Sequence, residues 1–343
     1  VKDLVAHLPA AVPDATGVAV GLHRDGEELV LVGGTTGGRE PRPVTGHTRF
    51  ELGSLTKTFT GLLLAEMAGR GEVDPADPVR RHLPVGAVPH LGRDVTLERL
   101  ATHTAGLPRL PPGLLLRAVP RWRTNPYRDF AAADFDAALR RARCGPPGRY
   151  RYSNFGVALL GEALARAAGR PYAELLAERV LRPLNLTDTD CFTSPQVTGY
   201  LRGRPRPPWE IPGMPAAGAL RSSALDLLRY LTAHLPPFTG PLGDATAEVT
   251  RPRASARAHD VCLIWNLRRR AGRELLFHSG GTRGCTVFAA FSPGTSTAFV
   301  ALANAGPTVG ASFVQRSYDT AWSLASHPAS RTSRPRVSNL QDP

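Results

Sequence analysis

The sequence predicts an α/β fold of the α+β type: an antiparallel sheet formed from both chain ends, flanked by helices, with a mostly helical lobe inserted. Three observations predict it. β-rich segments open the chain, Pro-punctuated helical segments fill its middle, and β-rich segments return after about His259. At 343 residues and 42% hydrophobic composition, the chain can also bury a sizeable core.

The elements follow in order. Asp3 to Leu8 reads as a helix. Val18–Leu22 and Glu28–Val32 flank the turn His23-Arg24-Asp25-Gly26, a hairpin signal. Gly33-Gly34-Thr35-Thr36-Gly37-Gly38 lacks the lysine of a phosphate-binding loop and reads as a turn. Leu55, Phe59, Leu62, Leu63 and Met67 fall at helical spacing, and Gly69 and Gly71 end that helix. Helices are predicted over Phe135–Arg143, Val157–Ala168, Tyr172–Val180 and Ala224–His234, the last capped by Ser222 or Ser223. Strands are predicted over Val261–Leu267, Glu274–His278, Cys285–Phe291 and Ala298–Ala303, then a helix over Phe313–Leu324. Arg268, Arg269 and Arg270 read as a turn between strands. The expected organisation is a discontinuous sheet lobe (1–73 and 253–325), a helical lobe (74–252), and a polar tail (326–343) that adds nothing to the core.

The formal net charge of +13 invites a nucleic-acid reading, but arginines are spread from Arg24 to Arg336 without a zinc-finger, helix-turn-helix or aromatic single-strand signature. No nucleic-acid partner is expected. Lysine is rarer and more informative: Lys2 and Lys57 are the only two, so 40 of the 42 basic residues are arginine. Arginine cannot serve as a proton acceptor, whereas lysine can be tuned to do so. Cys144, Cys191, Cys262 and Cys285 are scattered, with no C-x-x-C pair and no metal-ligand spacing, so neither a disulfide framework nor a metal is expected. No cofactor is called for. No signal peptide opens the sequence and no apolar run approaches spanning length, so the expectation is cytoplasmic residence without a membrane partner. The chain does not begin with Met, which leaves room for a removed export segment.

Three short patterns could carry chemistry. In Ser54-Leu55-Thr56-Lys57 the serine and lysine lie three apart, hence on one helix face. The helix N-terminus and partial burial would both lower the lysine pKa from about 10.4, so that a neutral amine could take the serine proton. Tyr152-Ser153-Asn154 precedes a helix: the phenol could shuttle a proton to a leaving group, and the amide could hold Lys57 and a substrate carbonyl. His278-Ser279-Gly280-Gly281 ends a strand, where glycines admit a substrate backbone and the Gly281 amide could donate to an oxyanion. Taken singly, these are also an ordinary surface Ser and Lys, a buried Tyr with an Asn cap, and a strand-to-turn junction.

Together and in that order, they resemble the serine β-lactamase and D-alanyl-D-alanine peptidase superfamily, in its class C-like branch with esterases and transacylases. That branch carries S-x-x-K, then Y-x-N, then a K/H-[ST]-G strand. The similarity extends to Phe50–Lys57, Leu100–Pro108, Pro147–Asn154, Ala217–Ser222 and His278–Gly284, and spans about Val18 to Ala305. It implies Ser54 as nucleophile, Lys57 as base, Tyr152 as proton relay and Asn154 as a positioning group. It also implies an oxyanion hole from the Ser54 and Gly281 amides and a small-molecule acyl substrate: ester, amide or lactam. His278 stands where many β-lactamases carry lysine, so the fixed positive charge for a lactam carboxylate is missing or pH-dependent there, and Arg283 could replace it. The pocket walls should come from the loops near Pro108–Tyr127 and Cys191–Pro215, with Trp122, Tyr127 and Trp209 as lining candidates. Hydrolysis of an ester or small amide is the expected activity; acyl transfer to an amine and non-catalytic binding are the alternatives. A Ser-His-Asp hydrolase is disfavoured, because no serine carries glycines at both second neighbours.

Overall fold

The computed structural model describes residues 8–24, 26–308 and 312–325, and the backbone of 336–339. The helix expected over Asp3 to Leu8 lies outside the described residues except for its last position. One sheet of nine strands organises the molecule, in the order β13-β2-β1-β12-β11-β10-β9-β8-β7. The first hairpin is β1 (Gly17–Arg24) and β2 (Glu27–Gly34). The C-terminal half supplies β7 (Ala254–Ser255), β8 (Asp260–Val261), β9 (Asn266–Arg270), β10 (Arg273–Gly281), β11 (Thr286–Ser292) and β12 (Thr297–Ala303). The chain ends meet where β1 pairs antiparallel with β12, Ala19 opposite Leu302. Arg336–Asn339 (β13) adds a parallel edge strand to β2, so the tail contributes a strand that its polar composition did not predict.

Strand alternation sorts the apolar side chains between the two faces. Ala19, Val30 and Val32 join the larger core, while Val18, Val20, Leu22 and Leu31 join a smaller one with Phe288, Phe299, Phe313 and Leu324. Between the two halves of the sheet lie α1 (Thr56–Gly69), α2 (Leu97–Ala101), α3 (Leu114–Ala118) and α4 (Ala132–Arg141). They are followed by α5 (Asn154–Ala167), α6 (Tyr172–Leu176), α7 (Ala224–Thr232) and α8 (Gly243–Glu248), with α9 (Phe313–Leu324) after β12. Ser223 caps α7 by accepting the Asp226 N–H at 3.2 Å.

Three local expectations change. The apolar stripe of α1 is an incomplete description, because every residue from Thr56 to Met67 is buried. Its threonines are accommodated by hydrogen bonds: Thr58 Oγ1 donates to Leu55 O at 2.8 Å, and Thr60 Oγ1 to Ala216 O at 3.0 Å. The strand predicted over Val261–Leu267 is broken, because Cys262–Trp265 folds inward as a turn closed by Cys262 N–H on Trp265 O at 2.8 Å. The three arginines 268–270 lie in β9, and Ala271-Gly272 makes the turn instead. All four cysteines are free thiols.

Candidate active site

The nucleophile segment is held at both ends. Phe50–Glu51 (β3) pairs with Arg221–Ser222 (β6), and Leu52 N–H donates to Leu220 O at 2.9 Å. Gly53 then turns the chain with φ +49, a left-handed value; a Cβ here would also stand 2.5 Å from Gly281 O. Ser54 sits in the 3₁₀ turn Gly53–Leu55 that leads into α1, rather than on its first α-turn. The expected neighbour relation holds, with Ser54 Oγ and Lys57 Nζ 2.9 Å apart. Ser54 is half-buried and Lys57 fully buried.

Among the described residues Lys57 has no acidic partner. Its amine donates to Ala217 O at 2.6 Å, which aims it at the serine. Burial, and then the Arg109 guanidinium, hold the ammonium well below the usual lysine range. The sequence pointed to the helix terminus as well as burial; burial leads here.

Tyr152 closes the triangle. Burial pushes its hydroxyl up to about 12, outweighing the downward pull of Ser54 beside it, so it is a protonated phenol at neutral pH. Lys57 Nζ lies 5.3 Å from the ring centroid, and the Arg109 guanidinium also 5.3 Å. Ser153 fixes this phenol from behind: Oγ accepts the Gly156 N–H at 2.8 Å, capping α5, and donates to Pro108 O at 2.6 Å. Asn154 departs from expectation. Its amide donates to Tyr127 OH at 3.1 Å, Lys57 is not among its partners, and its buried Oδ1 has no partner among the described residues.

The opposite wall is the end of β10. This strand pairs with β9 only as far as Phe277, whereas pairing with β11 continues to Gly281, so His278–Gly281 has an open edge. Gly280 lets that edge lie against the nucleophile turn; a Cβ there would stand 1.9 Å from Leu52 O. His278 does not present a cation to a substrate. It is buried, and burial with the nearby Lys57 brings its pKa down to about 3. Ser279 and Gly281 are half-exposed.

Two site residues escaped the sequence reading. His103, left-handed at φ +58, places its ring 4.5 Å from that of Tyr152 and accepts the Ser153 N–H on Nδ1 at 3.2 Å. Burial, Lys57 and His278 together hold it neutral. Arg109 is exposed, and its carbonyl accepts the Asn154 N–H at 3.0 Å. Lys57, His103 and His278 thus lie within mutual reach, and no carboxylate contributes to the shift of any of them. The neutral form of all three is the state of lowest cost. At the rim, Tyr127 and Trp209 meet edge to face at 5.5 Å, and Trp209 N–H donates to Glu51 at 2.7 Å. Trp122 is exposed; Arg283 donates to its carbonyl at 2.7 Å and lies 6.0 Å over its ring.

The family profile described as Beta-lactamase matches residues 1–319. The chain belongs to that family. As a beta-lactamase family member it is 34% identical over 231 residues to D-alanyl-D-alanine-carboxypeptidase/endopeptidase AmpH of Escherichia coli (strain K12), covering 64% of this chain and 58% of that one. It is 29% identical over 231 residues to a beta-lactamase of the same strain, covering 65% and 57%. The chain thus spans a little under three fifths of the length of these curated relatives. Among solved structures, a class C beta-lactamase superposes with TM-score 0.82 at 19% identity, covering 96% of both chains. The class C beta-lactamase from Rhodobacter sphaeroides gives 0.78 at 24% identity, covering 94% of this chain and 97% of that one. These two likenesses establish the shared fold.

Proposed function

We propose that this protein is a serine hydrolase that works through an acyl-enzyme on Ser54. The observation that carries the reading is the 2.9 Å approach of Ser54 Oγ to a buried Lys57 amine that has no acidic partner among the described residues. The Ser54 proton passes to the Lys57 lone pair as Oγ attacks the substrate carbonyl. The resulting oxyanion takes the Ser54 and Gly281 N–H groups. The Lys57 ammonium returns its proton to Tyr152 as the phenol protonates the leaving group, and the bond to that group breaks. Water then enters, gives its proton back along the same route, and releases the acid.

The substrate class follows from charge. Arg109 stands at the mouth beside Tyr152, and both Arg109 and Arg283 act on Tyr127. With His278 neutral, these guanidiniums are the cations available to an anionic substrate. This favours an amide or ester that carries a carboxylate, and the likeness to a carboxypeptidase and to beta-lactamases supports a D-amino peptide or lactam. Intact-mass detection of an acyl adduct on Ser54 tests the mechanism; an unmodified chain after exposure to acyl and phosphonate probes would refute it. Turnover of a chromogenic ester, a cephalosporin and a D-Ala-D-Ala peptide, with and without added amine, tests the class and separates hydrolysis from acyl transfer.

A further inference from the structure

Among the described residues six large apolar side chains are exposed: Val85, Leu115, Leu116, Val119, Trp122 and Phe192. Four of the six fall within eight consecutive positions. Helix α3 and the 3₁₀ turn Val119–Arg121 form one short helical rod, whose Leu114 and Ala118 are buried. Leu115 (56% exposed), Leu116 (83%), Val119 (72%) and Trp122 (49%) form its outer ridge. Folding had an apolar interior to offer these side chains, and α3 uses it for only two. A soluble surface seldom concentrates apolar side chains in this way without a partner.

The segment that carries the ridge has charge of one sign only. From Gly113 to Arg123 there are three arginines and no acidic residue. Arg117 pairs with Asp134 and Arg121 with Asp129, but Arg123 has no ion pair among the described residues. Two more guanidiniums are drawn to the same end: Arg283 donates to Trp122 O at 2.7 Å, and Arg206 to Arg123 O at 3.4 Å. Arg206 belongs to the hairpin of β4 (Gly199–Leu201) and β5 (Arg204–Arg206), whose Arg202 and Arg204 are exposed. A second copy of the chain seated on the ridge would bring these cations against their own kind. A nucleic acid would match the arginines but leave the leucines in water. An anionic bilayer surface satisfies both, taking apolar side chains at the acyl boundary and guanidiniums among the phosphates.

We propose that the Leu115–Arg123 ridge docks this protein on an anionic lipid surface. Because Arg283 lies two positions beyond Gly281, the docked protein turns the mouth of the Ser54 cleft toward the headgroups. No helix among the described residues is long and apolar enough to cross a membrane. The expectation of no membrane partner rested on that feature of the sequence, and surface attachment does not need it.

Co-sedimentation with vesicles of phosphatidylcholine containing phosphatidylglycerol, against phosphatidylcholine alone, tests the proposal. The full chain is compared with the double variant L116E/V119E and with R123E, each checked by circular dichroism for an unchanged fold. Wild type is expected to bind the anionic vesicles at least tenfold better than the neutral ones, with a blue shift of tryptophan emission that Trp122→Phe removes. L116E/V119E is expected to lose at least tenfold, R123E severalfold, and Ser54→Ala nothing. Failure of wild type to sediment with anionic vesicles at low salt would overturn the proposal. So would wild-type binding by L116E/V119E, since the overall positive charge would then suffice. Dimerisation in the ultracentrifuge that the double variant abolishes would overturn it too, by assigning the ridge to a second copy.

Discussion

The carboxylate of Glu51, three residues before the nucleophile, accepts a 2.5 Å hydrogen bond from the hydroxyl of Thr282, the residue after Gly281. This contact ties the strand that delivers Ser54 to the turn that delivers the proposed oxyanion donor. The same carboxylate accepts from Gln196 and Trp209, and Arg221, also buried, stands opposite Glu51 in the register of the short sheet. Removing it strips Thr282, Gln196 and Trp209 of their acceptor, while Arg221 keeps its own bonds to Gln196, Ala219 and Trp209. Glu51→Ala is therefore expected to cost about 1–3 kcal/mol, read as a fall in the urea midpoint. Unchanged stability with unchanged activity would show that the clamp is dispensable.

Lys57→Arg keeps a long basic side chain but one that stays protonated, and so discards the usable lone pair. Acylation of Ser54 is expected to fall by about 10²–10⁴-fold, the usual worth of a positioned general base. Single-turnover labelling followed by mass spectrometry reads it, and wild-type labelling would exclude Lys57 as the base.

The rate of acylation should rise with pH as Lys57 loses its proton, with a midpoint well below that of a free lysine. Arg109 is one cause of that depression. Arg109→Leu is expected to move the midpoint of the kcat/KM profile upward and to raise KM for carboxylate-bearing substrates more than for neutral esters. An unmoved midpoint would remove Arg109 from the electrostatics of the site.

Acid should weaken the fold through its buried imidazoles. Burial holds His278 down to about 3 and His234 to about 4, so both stay neutral in the native state. The unfolded chain takes up these two protons below the ordinary histidine value of about 6.5. Stability is then complete above that value and lost as pH falls through the window toward 4. By pH 5 the loss is about 2 kcal/mol for each imidazole. Urea unfolding at pH 7.5 and pH 5 measures it, and His234→Phe should flatten part of the difference.

Gly280→Ala places a methyl group 1.9 Å from Leu52 O, a backbone atom that cannot swing aside. The β10 edge must retreat from the nucleophile turn. Activity is expected to fall by at least tenfold while the circular dichroism spectrum keeps its native form; full activity would mean that the edge does not shape the site.

Ser54 and Lys57 were legible because three positions along a helical chain are a local fact, settled by backbone geometry alone. Tyr152 and Gly281 needed the resemblance, since nothing local says that residues a hundred positions apart will meet. Arg109 was invisible among forty arginines, and its importance is a matter of where the chain after Pro108 passes. His103 stood inside a recognised segment, but its left-handed backbone and its place beside Tyr152 are tertiary facts. The Asn154 amide went to Tyr127 for the same reason. The complete burial of α1 was obscured by Thr56, Thr58 and Thr60, which look solvent-facing until their hydroxyls find Leu220, Leu55 and Ala216.

The pairing of β1 with β12 sets the schedule of maturation during synthesis. Strand β1 is made long before Thr297–Ala303 and must wait for it before its inner edge is covered. The hydroxyl at position 54 likewise waits for the wall that residues 278–281 supply. A nascent chain therefore cannot assemble the Ser54 site until residues 278–281 have been made, and the site closes only with a loop of more than two hundred residues.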